Sequence, residues 1–158
     1  MQTSKHICVQ EMDFDLPWHY ARLRARPGGA VCLFTGLVRD LPQGGLAALL
    51  IEHFPGMAER RLEAIVDQAA TRWPLAAIHL VHRFGRLEPG EQIVLVGCLS
   101  DHRGDAFDAC RFIMDYLKTD APFWKKTLGV EGEAWVEANN ADQRQIRNWN
   151  HATPAHRK

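Results

Sequence analysis

Apolar and polar positions follow two periods along this chain, and each period predicts a type of element. Strands are predicted over 6–10, 30–39, 46–54, 76–84 and 92–100, which are rich in apolar, β-branched or aromatic side chains. Apolar residues recur every three or four positions over 57–73 and 103–118, which is the repeat of an amphipathic helix. A shorter helix is predicted over 15–25, with Asp15 as its N-cap and Pro17 in its first turn.

Turn residues arrange these elements into one α+β domain. Pro89 and Gly90 lie between the strands 76–84 and 92–100, so the two strands are predicted to form a hairpin. Two short β-like pieces, FWKKTL and AWVEA, follow the last helix; the Ala- and Leu-rich segment 46–54 would equally suit a helix. No internal repeat and no long linker divides the chain, which predicts one α+β domain over 1–150. The end, from Asn148, has few apolar anchors, so we expect it to fray, with a disordered tail over 151–158.

The charge balance narrows the class of partner. The chain has 158 residues, 46% of them hydrophobic, with 19 Lys plus Arg against 19 Asp plus Glu. A net charge of zero argues against a general binder of nucleic acid or membrane surfaces, because both reward a basic excess. No apolar run approaches the roughly 20 residues of a membrane span, and the start lacks the apolar core of a secretory signal. We therefore expect a cytoplasmic protein in which any cationic site is local.

Cysteine and histidine give no metal or cofactor motif. The four cysteines are far apart and form no C-x-x-C pair, so we expect buried free thiols: Cys8, Cys32, Cys98 and Cys110. His79 and His82 are three apart on a predicted strand and so point to opposite faces, which suits no shared metal. We interpret His53 and His82 as structural or surface residues. No phosphate-binding loop or dinucleotide fingerprint occurs, and no metal, flavin or nucleotide cofactor is expected.

The stretch SDHRGDAF offers a possible anion site. A strand runs directly into a helix there, so His102 and Arg103 lie where the first helical N–H groups lack intrahelical partners. Those donors, the helix dipole and a guanidinium together favour phosphate or carboxylate. The alternative is that Asp101 or Ser100 caps the helix and Arg103 is solvated.

The stretch MDYLKTDAPFWKK places three lysines near apolar side chains. Lys118 ends a predicted helix, where the dipole favours a cation, so helix capping is its simplest explanation. If the following segment is extended, Lys125 lies on the side of Phe123 and Lys126 on the other. Lys125 would then line an aromatic-walled pocket in which desolvation lowers its pKa, unless this is a surface strand. Arg39 closes a strand at the rim of a sheet, a frequent position for a binding residue.

Six ordered motifs resemble one protein family. They are FTGLVRD, IEHFPGM, RWPL, VHRFGRLEPGE, SDHRGDAF and FIMDYLKTDAPFWKK, within about residues 29 to 138. Together they resemble the large, catalytic subunits of molybdopterin synthase. The resemblance implies an α/β hammerhead-like domain with an added antiparallel β subdomain.

The resemblance also implies a reaction and its partners. Proteins of this family convert cyclic pyranopterin monophosphate to molybdopterin by inserting two sulfurs. The sulfur arrives as a thiocarboxylate on the C-terminal Gly-Gly of a small ubiquitin-like subunit. Two large subunits form a central homodimer with a small subunit at each end, a heterotetramer.

The family's pocket positions coincide with residues already singled out. They correspond to Arg39, His102, Arg103, Lys118 and Lys125, with Lys126 as a further substrate-binding candidate. The resemblance implies that the arginines and the histidine hold phosphate and pterin, while Lys118 and Lys125 stabilise developing charge and move protons. The division of roles between the two lysines is open. Leu37 and Thr127 depart from the basic and acidic residues of many members.

Two other functions are compatible with these residues. A non-catalytic dimeric scaffold would bind the pterin or the small subunit without turnover. A different phosphate-ligand enzyme would use Lys118 as a Schiff-base nucleophile. An RNA-binding module is disfavoured, because no basic strip interleaves with aromatic residues.

Overall fold

The computed structural model describes residues 2–137 and 140–151, and its elements follow the predicted order with two additions. The strands are β1 Ser4–Gln10, β2 Ala30–Leu37, β3 Leu46–His53, β4 Leu75–Arg83, β5 Gly85–Leu87, β6 Gln92–Ser100, β7 Phe123–Gly129 and β8 Gly132–Trp135. The helices are α1 Leu16–Arg24, α2 Met57–Arg72, α3 Arg103–Asp120 and α4 Asn140–His151. The ten predicted elements are confirmed, including β3, for which helix was the alternative. The expected cap is also present, since the Asp15 carboxylate accepts from the Trp18 N–H at 3.3 Å.

The first sheet has the order β1-β4-β6-β2 and carries helices on both faces. β1 pairs with β4 in parallel, whereas β6 is antiparallel to both β4 and β2. Alternate residues of β4 serve the two faces: Ile78 and Leu80 join the core beneath α2 and α3, while Ala77 packs with Leu23 of α1. This alternation places His82 and His79 on opposite faces, as predicted.

The second sheet is antiparallel throughout, with the order β5-β3-β7-β8. It corresponds to the predicted antiparallel subdomain. The hairpin prediction was incomplete: β4 and β6 do pair, but the segment between them leaves the first sheet and adds β5 to the second. Gly85 makes this departure with a φ of 92°, a conformation that glycine adopts without a Cβ clash. With three residues, β5 is too short to show the alternation of apolar and polar residues that predicts a strand.

The expectation that the chain frays from Asn148 was wrong as far as His151, because α4 extends to that residue. Two anchors hold it: the Trp149 ring packs 5.5 Å from that of Phe112, and its Nε1–H donates to Asp115 Oδ2 at 2.6 Å. The helix therefore depends on tertiary contacts rather than on a broad apolar face of its own. The predicted tail otherwise covers residues 152–158, which lie outside the described residues. Within the described ranges, no helix is long and apolar enough to cross a membrane.

Candidate functional site

A small cavity opens where the two sheets meet the C-terminal half of α3. Its volume is about 110 Å³, and it is lined by Phe34, Gly36, Leu37, His82, Ile93, Val94, Met114, Leu117, Lys118 and Lys125. Gly36 helps to keep it open, because a Cβ at this position would lie 2.8 Å from Val94 Cγ1. The wall is mostly apolar, and its cations come from the end of α3 and from β7. A narrow, apolar space with ammonium groups at its edge favours a slender anionic group.

Lys125 reaches this cavity because β7 alternates. Phe123 and Lys125 share one face of the strand, whereas Trp124 on the other face is 46% exposed. Burial and the neighbouring charge of Lys118 lower the pKa of Lys125, and Asp142 opposes that shift. The aromatic wall and the lowered pKa both agree with the pocket interpretation of the sequence. An ammonium in this environment releases its proton more readily than one in water.

A wider groove adjoins the cavity and adds a third cation. Its volume is about 530 Å³, and it is lined by Arg39, His82, Leu117, Lys118, Thr119, Ala121, Phe123, Trp124, Lys125, Val136, Glu137 and Asp142. Lys118 and Lys125 line both spaces, so the groove and the cavity form one continuous site. The structure thus brings together Arg39, Lys118 and Lys125, three of the six predicted site residues.

His102 and Arg103 lie at the opposite end of α3. Both are exposed, and His102 occupies the N-cap without a side-chain hydrogen bond to the helix. The alternative cap is not made by Ser100, whose hydroxyl donates to the Pro74 carbonyl at 2.8 Å. At about 1.5 Å per residue, Arg103 and Lys118 are separated by about 22 Å along the helix axis. One chain therefore does not bring these two groups to one small ligand.

Lys126 does not line the cavity or the groove either. It lies on the other face of β7, where Nζ pairs with Glu133 Oε2 at 2.8 Å and sits 4.8 Å from the Trp135 ring centroid. Its role in substrate binding stays a prediction. The two residues that depart from the family pattern have different surroundings. Leu37 lies in the cavity wall, whereas the Thr127 hydroxyl donates to the Ala134 carbonyl at 3.1 Å.

His82 is the site residue that the sequence interpretation missed. The ring is buried, lines both spaces and stacks on Phe123 with centroids 3.8 Å apart. Burial, followed by the charge of Lys125, lowers its pKa to about 3. Strand alternation already placed His82 on the face of Ile78 and Leu80. The alternation could not show that the second sheet packs near this face and makes it a pocket wall.

The four cysteines are free, as predicted, but only Cys98 and Cys110 are buried, whereas Cys8 and Cys32 are partly exposed. Burial raises the pKa of Cys32 to about 12, and it also raises the pKa of Cys8. The pKa of Cys110 is raised as well, chiefly by its hydrogen bond with Cys98 and by burial. These thiols are poor nucleophiles at neutral pH. Among the described residues, no group of three or more His, Cys, Asp or Glu side chains could hold a metal ion.

The fold and the site together define a class: an α+β protein with a cationic pocket where two four-stranded sheets meet. The family model described as MoaE protein matches residues 9–120. The chain therefore belongs to the MoaE family, whose curated relatives carry the name molybdopterin synthase catalytic subunit. The family predicted from the six motifs is confirmed, and with it the expectation of an enzyme of molybdopterin synthesis.

Individual relatives cover nearly the whole chain. The chain is 52% identical over 146 residues to the catalytic subunit of Ralstonia nicotianae, which covers 90% of this chain and 83% of the relative. The Escherichia coli K12 subunit is 48% identical over 145 residues, covering 90% and 97%.

Solved structures share the fold. A MoaE protein from Burkholderia ambifaria has a TM-score of 0.80 at 48% identity, covering 94% of this chain and 99% of that one. Molybdopterin synthase from Staphylococcus aureus has a TM-score of 0.76 at 30% identity, covering 82% and 95%. A complex of subunits 1 and 2 of molybdopterin-converting factor from Helicobacter pylori, with a TM-score of 0.70 at 19% identity, covers 84% and 90% and shows the fold alone.

Proposed function

We propose that this chain, in the cytoplasm, transfers sulfur from the C-terminal thiocarboxylate of a small ubiquitin-like partner to cyclic pyranopterin monophosphate, which gives molybdopterin. The observation that carries the proposal is one continuous site lined by Arg39, Lys118 and Lys125 in a chain of the MoaE family. The name molybdopterin synthase catalytic subunit, which relatives 52% and 48% identical to this chain carry, supports a second subunit as the partner.

The two parts of the site suit the two reactants. A Gly-Gly end has no side chains, so it is slender enough for the apolar cavity of about 110 Å³. The groove of about 530 Å³ is the larger space and contains Arg39, whose planar fork suits a phosphate. Lys118 and Lys125 line both spaces, so they would face the point where thiocarboxylate sulfur attacks the pterin. No metal or cofactor is required for this role.

The lysines would supply charge and protons. As sulfur attacks, negative charge grows on the substrate, and ammonium groups held in a partly desolvated site stabilise it more strongly than water does. The lowered pKa of Lys125 suits it to give a proton to the departing oxygen and to regain one afterwards. Lys118, exposed at the groove, would serve as the fixed positive charge.

A homodimer would explain the position of His102 and Arg103. β2 is an edge strand of the first sheet, and the neighbouring surface exposes Phe34, Leu37 and Phe107, by 42%, 55% and 62%. An isologous contact over this surface, with its twofold axis perpendicular to α3, would set the two α3 helices antiparallel. The α3 N-terminus of one copy would then approach Lys118 of the other, and its unpaired N–H groups would add donors for an anion.

Complementation tests this arrangement. Arg103→Ala and Lys118→Ala are each expected to be inactive as homodimers. After mixing and subunit exchange, half of the dimers combine the two variants, and each of these has one intact site, so about a quarter of the sites should work. A mixture that exchanges subunits but stays inactive contradicts a site shared between copies.

Reconstitution tests the reaction itself. The protein is mixed with a thiocarboxylated small subunit and cyclic pyranopterin monophosphate, and molybdopterin is measured in a single turnover. Product is expected with the wild type and not with a carboxylate-ended small subunit. Tight binding of both reactants without product would favour the non-catalytic scaffold. A borohydride-trapped adduct at Lys118 would favour the Schiff-base enzyme instead.

A further inference from the structure

A separate cavity lies between helix α1 and the first sheet, on the face of β4 that carries His79. This α1 cavity has a volume of about 240 Å³ and is lined by Ser4, Arg22, Ala25, Arg26, Ala77 and His79. Its charged side chains are the two arginines, and no carboxylate of the described residues lines it. It shares no lining residue with the cavity and groove beside α3, so the proposed function gives it no task.

Helix geometry holds the two arginines side by side. Arg22 and Arg26 are four residues apart, and the turn between them stays helical through Ala25, whose φ is −71°. At this spacing the Cβ atoms are about 5–6 Å apart on one face, and like charges repel each other. Neither guanidinium forms an ion pair or a side-chain hydrogen bond with the residues that the structure describes. An anion between the two groups would replace this repulsion by attraction to both.

The helix dipole explains the arginines only in part. A helix C-terminus favours any cation in its last turn, and it stabilises Arg24 there as it does Arg22. Arg24, however, lies over the Tyr20 ring and does not line the α1 cavity. The dipole therefore accounts for a basic last turn, but it does not explain why two arginines and a histidine surround one space.

His79 offers a third polar group to the same space. Its ring is 6% exposed, and its Nδ1 lies 2.9 Å from the Nδ1 of His19. No described residue bonds to its Nε2, yet every buried side-chain nitrogen and oxygen of the described residues has a partner. Nε2 is therefore not buried, and the α1 cavity is the space that the ring lines. When His19 donates between the two Nδ1 atoms, the neutral His79 ring carries its proton on Nε2 and can donate it to a ligand.

The surroundings of His79 favour a small anion. Burial and the neighbouring charges of His6, His19 and Arg22 lower the pKa of His79 to about 4. The positive potential that opposes a further proton attracts a negative group. The volume is below the roughly 300–1,000 Å³ of pockets that hold a whole small molecule, so the space suits a single group. Several separate donors match a phosphate group better than a carboxylate, because phosphate has more oxygens to accept from them.

We propose that the α1 cavity binds a phosphate group, held by the guanidinium groups of Arg22 and Arg26 and by the Nε2–H of His79, with the Ser4 hydroxyl as a further donor. The bound group removes the repulsion between the arginines and selects the Nε2–H tautomer of His79. It also ties the C-terminal end of α1 to β4. The phosphate is either the free ion or the end of a phosphate monoester.

Calorimetry with inorganic phosphate, at an ionic strength held constant with chloride, tests the site. Arg22→Gln/Arg26→Gln should bind phosphate at least about tenfold more weakly than the wild type, because a hydrogen bond to a charged group contributes about a factor of ten or more. Arg24→Gln is the matched control on the same helix and should bind as the wild type does. Arg39→Gln should also keep this binding. Phosphate binding that is lost in Arg39→Gln but kept in the double variant overturns the proposal, as does a wild-type Kd above about 10 mM.

Nitrogen NMR locates the anion, and competition identifies its chemistry. In protein labelled with ¹⁵N-histidine, phosphate should move the His79 Nε2 resonance towards that of a protonated nitrogen, and the double variant should show no such change. An Nε2 resonance that does not respond in the wild type overturns the proposal. Glycerol phosphate that displaces inorganic phosphate at equal or lower concentration supports a monoester ligand, and weaker displacement supports the free ion. Acetate that competes as well as phosphate overturns the assignment to a phosphate group.

Discussion

Replacing Lys125 by methionine should make the protein more stable and much less active. Methionine is unbranched, apolar and of similar length, so it fills the same space without the charge. In the folded protein, burial and Lys118 lower the pKa of Lys125 from its ordinary 10.5. The unfolded chain therefore binds this proton more tightly than the folded chain does. Stability contributed by this group consequently rises as pH increases from the lowered pKa towards 10.5, and at neutral pH the charge opposes folding.

The size of the change follows from the same environment. Relief of a strained, charged position in a functional site contributes about 0.5–2 kcal/mol of stability, which for a domain of this size raises Tm by about 1–8 °C. Loss of a positioned proton donor slows the chemistry by about 10²- to 10⁴-fold. The two effects have opposite signs because the group that destabilises the fold is the one that assists the reaction.

Denaturation and kinetics measure both effects on one preparation. Urea unfolding at pH 7 and at pH 10 should show the gain shrinking at the higher pH, while single-turnover transfer is slow at either. Lys5→Met should change neither stability by more than about 1 kcal/mol nor the rate, since it removes one exposed ion pair. The reasoning fails if Lys125→Met folds normally yet is less stable than the wild type at pH 7, or if it transfers sulfur at the wild-type rate.

Three further predictions concern the framework around the site. Arg83→Met should lower the free energy of unfolding by about 2–4 kcal/mol in urea titrations. The buried guanidinium donates three hydrogen bonds, at 2.9–3.1 Å, to carbonyls at the ends of β1 and β6. An unchanged unfolding midpoint would contradict this prediction. Burial and neighbouring histidine and arginine charges lower the pKa of His79 to about 4. The free energy of unfolding should therefore fall as pH drops from 6.5 to about 4. His79→Gln should remove part of this pH dependence. Gly29→Ala should reduce Tm by several degrees, because the new Cβ would lie 2.4 Å from the Asp101 carbonyl oxygen. A Tm within about a degree of the wild type would show that the backbone shifts at little cost and would contradict the prediction.

Local signals in the sequence were enough for most elements and for the facing of one catalytic candidate. Apolar and β-branched patterns, together with the Asp15 cap and Pro17 of α1, identified ten of the elements. The alternation of β7 placed Lys125 with Phe123 and turned Lys126 away, as the two sets of contacts bear out. Such conclusions hold because a strand or helix fixes its own side-chain directions whatever it later packs against.

Elements without a period of their own needed the tertiary structure. β5 has three residues, and it is a strand because β3 offers it a partner. α4 is strongly polar and is held by Trp149, whose ring lies against Phe112 and Trp73. Neither segment adopts its structure from local conformational preference, so no local sequence pattern could have predicted it.

The features of the site can also be separated into those that the sequence predicts and those that need the tertiary structure. The sequence by itself determined that a cationic side chain follows β2, that another lies in the last turn of α3, and that Lys125 and Lys126 face opposite sides of β7. Only the folded chain decided that Arg39, Lys118 and Lys125 converge and that His82 lies among them. The physical reason is that side-chain direction depends on a few neighbouring residues, whereas a pocket depends on which faces of distant elements bury each other.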